Sequence, residues 1–208
     1  MPITITGIRE ILRRFIGKPP STMGHNSGPA WNTAYSSGRW NYLKKVSELA
    51  HYAVIVSYCQ TLGWRIHCSI LDICCGEGIL REYFGKRFDS RYVGVDFSSV
   101  AIQRARRRRY RNSRFIHADV ANYVTTQKFD IIIFNECLYY FTEPLQVMER
   151  FEKTLSSRGV FIVSMYVSTK SKHIWPKLQT RYSVIDEVIV ENASHARWII
   201  KVLSVKKR

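Results

Sequence analysis

Short apolar runs alternate with amphipathic stretches from Ser69 to the end of the chain. The runs are four to seven residues long and are bounded by polar or small residues, which is typical of buried strands. They predict strands at 69–73, 92–96, 114–117, 130–135 and 159–165. The stretches between them predict helices near 78–88, 99–111 and 145–155. This alternation favours an α/β fold in which helices cover both faces of a mostly parallel sheet.

The last two strand-like runs, 184–190 and 198–203, differ from the others in how they are connected. Only the polar segment ENASHAR separates them, which is too short for a helical crossover. We therefore expect them to pair antiparallel, as a hairpin at one edge of the sheet.

The amino-terminal segment 1–30 has a separate character. Apolar residues interleave with Arg9, Arg13 and Arg14, which predicts a short basic amphipathic helix that docks on its own domain or touches an anionic membrane. The following stretch, 17–30, is rich in Gly, Pro, Ser and Asn and predicts a flexible linker. The expected division is therefore a basic helix and linker at 1–30 and one globular domain at 31–208.

Composition limits which cellular environment and which partners can be expected for the protein. The 208 residues include 32 Lys and Arg against 16 Asp and Glu, a net charge of +16 that suggests nucleic acid, a lipid surface or an acidic substrate as a neighbour. No apolar run approaches the roughly 20 residues that span a bilayer, so no stable membrane insertion is expected. The five cysteines form no C-x-x-C pair and the histidines show no metal-ligand spacing. These features predict reduced thiols, a cytoplasmic protein and no metal.

The segment ILDICCGEG at 70–78 is the strongest local feature. It runs from a buried strand through a turn of small residues into a helix, an arrangement that aims backbone N–H groups at a ligand. Asp96 ends the next strand, where a carboxylate can accept hydrogen bonds from both hydroxyls of a ribose. Phe97 follows as an apolar plate for an adenine.

Two later strands end in polar residues at the same edge of the predicted sheet. Asp119 follows the third strand, where its carboxylate can accept from an exocyclic amine, and Asn135 and Glu136 end the fourth strand. Asp96 and Asp119 are individually explained equally well as helix caps. Their joint occurrence, each at a strand end, instead predicts a nucleoside site.

The series ILDICCGEG, GVDFS, HADV and FDIIIFNECLYYF resembles the class I S-adenosylmethionine-dependent methyltransferases, over about Trp31 to Leu203. The resemblance implies a Rossmann-like seven-stranded sheet with an antiparallel terminal strand, so that 31–208 form a methyltransferase domain. It also implies S-adenosylmethionine as cofactor. The small size and the ECLYYF stretch are similar to the nodulation-type N-methyltransferases, which act on chitooligosaccharide amines.

The resemblance assigns roles along the cofactor. Cys75, Gly76 and Gly78 would line its methionine part, and Asn135 and Glu136 would lie beneath the sulfonium. The adenosine would meet Asp96 at the ribose, Phe97 and Val120 beside the adenine and Asp119 at its amine. Asp72 and Cys74 complete the expected cofactor-binding set. Cys74 replaces the usual first glycine of the loop, where an added side chain tends to crowd the methionine carboxylate or shift the loop. Because cysteine is small, we expect the loop to tolerate it.

A nicotinamide enzyme is the rival interpretation of the same loop. It needs G-x-G-x-x-G, and Cys74 and Ile79 occupy the first and last glycine positions. Methyl transfer to nitrogen or oxygen of a small molecule or saccharide is therefore the expected function, with Glu136, Tyr139 and Tyr140 as catalytic candidates. Trp31, Tyr35, Trp40 and Tyr42 either cover the cofactor as an aromatic lid or anchor a helix.

Two other functions remain open. The Arg-rich stretch from Arg104 to Arg114 would suit RNA phosphates if the protein were an RNA methyltransferase, or an anionic surface, or it is only a solvated face. A non-catalytic cofactor-binding protein is the third alternative, because Cys74 departs from the usual loop. The sequence does not indicate an oligomeric state.

Overall fold

The computed structural model describes residues 28–62, 68–86 and 88–206. The basic helix expected in 1–20, and nearly all of the linker expected after it, lie outside the described residues. The linker assignment is wrong at its end, because a helix already begins at Gly28, three residues before the expected start of the domain. Gly28 starts this helix against the ring of Phe97, which lies 3.4 Å from where a Cβ on Gly28 would stand.

Seven strands form a single sheet in the order β3-β2-β1-β4-β5-β7-β6. Their bounds are β1 Ser69–Ile73, β2 Arg91–Asp96, β3 Ser113–His117, β4 Phe129–Asn135, β5 Leu155–Tyr166, β6 Tyr182–Glu191 and β7 Arg197–Val205. The first five strands run parallel, and β7 runs antiparallel to both β5 and β6. The expected parallel sheet and the terminal hairpin at one edge are both confirmed.

Helices cover both faces of the sheet, as expected. The described α-helices are α1 Gly28–Ser36, α2 Val46–Leu62, α3 Ile79–Tyr83, α4 Ser99–Arg107, α5 Pro144–Glu152 and α6 Thr169–Arg181. Short 3₁₀ helices lie at Asn41–Lys44 and Leu138–Tyr140. Apolar residues of α2, α3 and α4 pack into one core, and those of α5 and α6 pack into the core on the opposite face. Both cores include side chains of β1 and β4, because successive residues of a strand point to opposite faces of the sheet.

Two helices end earlier than the sequence predicts, because residues with positive φ follow them. Gly85, with φ of 73°, follows α3, and Arg109, with φ of 50°, follows α4. A left-handed residue cannot continue a right-handed helix. In the opposite direction, β5 begins four residues before the expected Gly159 (159 − 155), because 156–159 form a bulge against β4 rather than a free turn.

The carboxyl ends of β1, β2 and β4 meet at one edge of the sheet, and the strand order reverses between β1 and β4. In open α/β sheets such a reversal opens a crevice in which ligands bind. Helix α1 lies over this edge, because Asn32 accepts hydrogen bonds from the Ser98 hydroxyl at 2.8 Å and the Val100 N–H at 3.3 Å. Across the described segments, every helix is too short or too polar to cross a lipid bilayer.

Candidate active site

The loop between β1 and α3 forms the floor of the crevice. Cys74, Gly76 and Gly78 have φ values of 61°, 55° and 78°, so three of its five residues are left-handed. The Cys75 N–H donates to the Val95 carbonyl at 3.0 Å, which attaches the loop to the end of β2. A Cβ on Gly76 would stand 2.7 Å from the Tyr35 hydroxyl, so this position excludes a side chain on grounds of both backbone angle and space.

Asp96 joins this loop to the start of α4. One carboxylate oxygen accepts from the Gly76 N–H at 2.8 Å, and the other accepts from the Ser98 N–H at 2.8 Å. Burial raises the pKa of Asp96, and these N–H groups together with the nearby His117 oppose that shift. Each oxygen keeps a lone pair for a further donor. The carboxylate is therefore fixed at the carboxyl end of β2, where it also serves as the turn-forming group before α4.

The residues expected beside the adenine lie at the neighbouring strand ends. Phe97 is half-buried under α1 and Val120 is buried. Asp119 is half-buried, and its two oxygens accept from the Ala121 N–H at 2.8 Å and the Asn122 side chain at 3.1 Å. Asp119 thus forms its own local turn, and its carboxylate retains capacity for one more donor.

Asp72 and Cys74 face away from each other on opposite sides of β1. Asp72 is 2% exposed and accepts a hydrogen bond from the Tyr92 hydroxyl, so it bonds to a side chain of β2 and not to the turn amides. Burial raises its pKa to about 7. The half-buried side chain of Cys74 packs against the core beneath α5, near Cys137.

Asn135 and Glu136 end β4 on the other side of the crevice. The side-chain oxygen of Asn135 is buried and has no hydrogen-bond partner among the described residues. Glu136 has a φ of 56°, which turns its carboxyl back toward β5. There it accepts from the Tyr139 hydroxyl at 2.8 Å, the Tyr166 N–H at 3.1 Å and the Ser164 hydroxyl at 3.3 Å. Three donors from two elements therefore fix the position of this carboxyl.

Tyrosines surround Glu136, and a second carboxyl, that of Glu48, acts on it electrostatically. Burial raises the pKa of Glu136 to about 8, and the negative charge of Glu48 adds to this shift. Glu48 lies in the first turn of α2, and burial raises its pKa to about 7. Sequence reasoning missed Glu48, because a glutamate in the first turn of a helix is ordinarily only a favourable partner of the helix dipole.

The aromatic residues of 31–42 pack onto the loop that follows β4. The Trp31 ring stacks on Trp40 at 5.6 Å and meets Tyr140 edge-on at 5.1 Å. Trp40 contacts Tyr42 at 6.2 Å, and Tyr139 contacts Tyr140 at 4.8 Å. The structure therefore brings the expected aromatic set together with both tyrosine candidates. Tyr35 joins the same group through Trp40, at 6.3 Å between ring centroids, and places its hydroxyl over Gly76.

An ion-pair cluster holds the segment after α1 against the loop. Glu77 is 6% exposed and pairs with Lys44 of the first 3₁₀ helix and with Arg104 of α4, the latter at 3.2 Å. The sequence offered no signal for this cluster, because its three residues are 27 or more positions apart (77 − 44 and 104 − 77). Arg104 is thus engaged in the fold and is not part of a free basic surface.

The residues present fit a nucleoside bearing a charged amino-acid tail. A left-handed turn leaves room for close approach, a fixed carboxylate ends β2, and the buried oxygen of Asn135 lacks a partner. A buried polar atom without a partner costs on the order of 1–3 kcal/mol, which a bound donor would recover. Among the residues that the structure describes, no group of His, Cys, Asp and Glu has the arrangement of a metal site.

Comparison with protein families agrees with this geometry. The profile of a family described as "Methyltransferase domain" matches residues 66–203. The trans-aconitate 2-methyltransferase of Afipia carboxidovorans is 31% identical over 97 residues, which cover 46% of this chain and 38% of that enzyme. The match therefore spans well under half the length of this curated relative.

Solved structures share the fold at low sequence identity. The N-methyltransferase NodS from Bradyrhizobium japonicum WM9, solved in complex with S-adenosyl-L-homocysteine, is 18% identical with a TM-score of 0.67, over 85% of this chain and 100% of that chain. The Burkholderia thailandensis 1,6-didemethyltoxoflavin-N1-methyltransferase, solved with 1,6-didemethyltoxoflavin and S-adenosylhomocysteine, is 15% identical with a TM-score of 0.72, over 86% and 87% of the two chains.

Proposed function

The chain belongs to the class I S-adenosylmethionine-dependent methyltransferase family, and from that premise we propose that it methylates a nitrogen atom of a small amine or amino sugar. The observation that carries the choice of nitrogen is the Glu136 carboxyl, which lies among tyrosines with a second carboxyl, Glu48, nearby. An ammonium group would favour the ionised form of both carboxyls and lower their raised pKa values, and it would gain about 0.5–2 kcal/mol from each aromatic face. An anionic acceptor such as trans-aconitate would raise those pKa values further and would gain no such pairing.

The proposal also assigns cofactor-binding roles, which the position of these residues along the crevice supports. In this proposal Asp96 binds the ribose hydroxyls, Phe97 and Val120 flank the adenine, and Asp119 accepts from its amine. Cys75, Gly76 and Gly78 approach the amino-acid tail through the backbone, and Asn135 accepts from its ammonium group. Bound S-adenosylmethionine supplies a methyl group that its sulfonium already activates, so the protein has to align the acceptor and exclude water.

Glu136 is the proposed proton acceptor. An amine must lose its proton before it can attack, and a carboxyl with a pKa near 8 takes up a proton near neutral pH far better than an ordinary glutamate does. Its Oε1 atom accepts only a 3.3 Å hydrogen bond from Ser164, whereas Oε2 accepts from both Tyr139 and Tyr166. We therefore assign proton transfer to Oε1 and positioning of the carboxyl to Tyr139. Tyr140 and the stacked Trp31 close the pocket against water.

A labelled-methyl assay with matched acceptors tests this proposal. Each pair differs only at the accepting atom, for example glucosamine against glucose and an aromatic amine against the corresponding phenol. We expect transfer to the amine member of a pair at least about 10-fold faster than to the hydroxyl member. Preferential transfer to trans-aconitate or to hydroxyl groups would contradict it. Binding of S-adenosylhomocysteine without turnover of any acceptor would instead favour the non-catalytic alternative.

RNA as the methyl acceptor remains the second hypothesis. The arginines that would bind it follow α4 and begin β3, at the amino ends of the strands, whereas Glu136 lies at their carboxyl ends. An RNA bound there would have to pass around the edge of the sheet to reach the crevice. The cytoplasmic location likewise stays a prediction.

A further inference from the structure

A groove lined by arginines runs along the amino ends of the strands, on the side opposite the crevice. One concavity of about 750 Å³ is lined by residues that include Arg91, Asn112, Ser113 and Arg114. A second, of about 300 Å³, shares Ser113 and Arg114 with the first, so the two adjoin at β3. We call the two concavities together the basic groove; its lining includes Arg91, Arg106, Arg109, Tyr110 and Arg114, as well as Asp89 and Asp130.

Two of the four guanidinium groups in the basic groove make no polar contact that stabilises the described part of the fold. Arg109 and Arg114 are exposed, and neither side chain has a hydrogen-bond or ion-pair partner among the residues that the structure describes. The other two are anchored and still exposed: Arg106 donates to the Phe115 carbonyl at 2.9 Å, and Arg91 donates to the Lys128 carbonyl at 3.2 Å. Two arginines are thus held in place along the groove and two are available to bind.

Backbone angles turn the free arginines toward this edge. Arg109 is left-handed at φ 50° directly after α4, and Asn112 is left-handed at φ 52° directly before β3. The connection between them therefore folds tightly over the edge strand, and it carries Tyr110, which lines the smaller concavity. The arginines of the groove consequently come from the end of α4, from this turn, and from the starts of β2 and β3.

Tyr110 gives the groove an aromatic surface that is fixed from below. Arg81, which is 2% exposed, lies 5.0 Å from the Tyr110 ring, and it donates to the Ser113 hydroxyl at 2.7 Å and the Arg111 carbonyl at 3.0 Å. The half-buried ring thus has a set position beside Arg109. Aromatic rings beside rows of cations are the arrangement on which unpaired bases stack while phosphates are neutralised.

We propose that the basic groove binds the phosphate backbone of a single-stranded nucleic acid and stacks a base on Tyr110. An anionic membrane is disfavoured, because the large apolar side chains exposed in the described residues lie elsewhere, on α2, on β6 and at Val124. The acidic residues that line the groove, Asp89 and Asp130, are fewer than its arginines, so the groove keeps a net positive charge. This function is independent of methyl transfer in the crevice.

Fluorescence anisotropy of the full chain with a labelled oligouridine of about 20 nucleotides tests this inference. We expect binding that weakens between about 50 and 200 mM NaCl. R109E/R114E should bind at least about 10-fold more weakly, with a log–log salt slope reduced by about 1.4, as expected when two phosphate contacts are lost. If this variant fails to fold, R109Q/R114Q is the replacement, with a smaller loss expected.

The matched control is K172E/K177E, which makes the same change in net charge on exposed lysines of α6. It should retain affinity within about 2-fold of the original protein. An equal loss in both variants would show that only overall charge matters and would overturn the proposal. Absence of oligouridine binding at about 50 mM NaCl would overturn it as well.

Stacking has a separate signature. Tyr110→Ala should weaken binding about 5-fold or more without changing the salt slope, and Tyr110→Phe should retain the affinity. Dextran sulfate or phosphatidylserine vesicles that bind as tightly as oligouridine would contradict the assignment to nucleic acid. S-adenosylhomocysteine affinity should be the same in every variant, because the groove lies at the opposite edge of the sheet from Asp96.

Discussion

The Tyr139 hydroxyl donates a 2.8 Å hydrogen bond to Oε2 of Glu136, so one catalytic candidate positions the other. If Glu136 accepts the proton of the amine, Glu136→Gln should lower kcat about 100-fold while S-adenosylhomocysteine affinity stays unchanged. Tyr139→Phe should cost less, about 10-fold, because the Tyr166 N–H still holds the carboxyl. Single-turnover rates and calorimetric titration measure the two effects separately. Equal activity of Glu136→Gln and the original protein would remove Glu136 from the mechanism.

The pH profile is a second prediction for Glu136. Its raised pKa of about 8 means that the ionised, proton-accepting form increases as pH rises through 8. Single-turnover rates should therefore rise with pH across this range, and Glu136→Gln should lack that limb. The ionisation of Glu136 and that of the acceptor amine can be separated by using acceptors whose amines differ in pKa. The part of the pH profile that Glu136 causes should stay at the same pH for every acceptor.

Asp72 makes folding stability depend on pH in a defined direction. Its pKa is raised to about 7 by burial, so its contribution is fully present below about pH 4 and is lost as pH rises through 7. At pH 8, the free energy of unfolding of Asp72→Asn should therefore exceed that of the original protein by on the order of 2 kcal/mol. At pH 4, the variant should show no such advantage. Urea unfolding at the two pH values measures this difference.

Asp130→Asn is the contrasting control. Burial alone would raise the pKa of Asp130, but hydrogen bonds from the Ser69 N–H and from the Ser156 and Ser69 hydroxyls outweigh it, so the pKa is lowered. Asp130→Asn should thus destabilise the protein at neutral pH and lose that effect at low pH. The same sign for both variants would refute the electrostatic interpretation.

Substitutions at Gly76 and Tyr35 are expected to have coupled effects on the free energy of unfolding. Gly76→Ala places a Cβ 2.7 Å from the Tyr35 hydroxyl at a φ of 55°, so we expect a loss of roughly 2 kcal/mol in unfolding free energy. Tyr35→Phe removes the clashing oxygen and should recover part of this loss in the double variant, but not the backbone strain. Strictly additive effects in the double-mutant cycle would mean that the two residues do not meet.

Asp96 should matter for both cofactor and loop. Asp96→Ala removes the ribose acceptor and frees the N–H groups of Gly76 and Ser98, so we expect at least about 100-fold weaker S-adenosylhomocysteine binding and a stability loss of roughly 1–3 kcal/mol. Asp119→Asn, which keeps its local turn, is the comparison. It should weaken S-adenosylhomocysteine binding less than Asp96→Ala does.

The sheet was predictable from the sequence because each strand is an apolar run between polar turns. The parallel direction of β1 to β5 was indicated by the alternation of strands with helical stretches, and the hairpin by its short connection. The order in which the strands lie in the sheet does not follow from the connection lengths. Helix ends were less predictable, since Arg109 has a left-handed conformation that its residue type does not indicate.

The candidate site was predictable only where strand ends supply its residues. Asp96, Asp119 and Asn135 follow runs that any strand prediction finds. Glu48 and Glu77 were missed, because their importance depends on which distant side chains tertiary packing brings to them. Tyr35 was recognised only as an aromatic residue, since its contact with Gly76 depends on how α1 crosses the crevice.

The aromatic segment that begins with α1 covers both halves of the crevice at once. Tyr35 lies over the glycine loop, and Trp31 reaches across to Tyr140. Asn32 and Lys44 fasten this segment at two points. Exchange of a nucleoside and exchange of an acceptor are therefore both expected to require movement of this one segment. Occupancy of either half of the crevice is consequently expected to change how fast a molecule enters or leaves the other half.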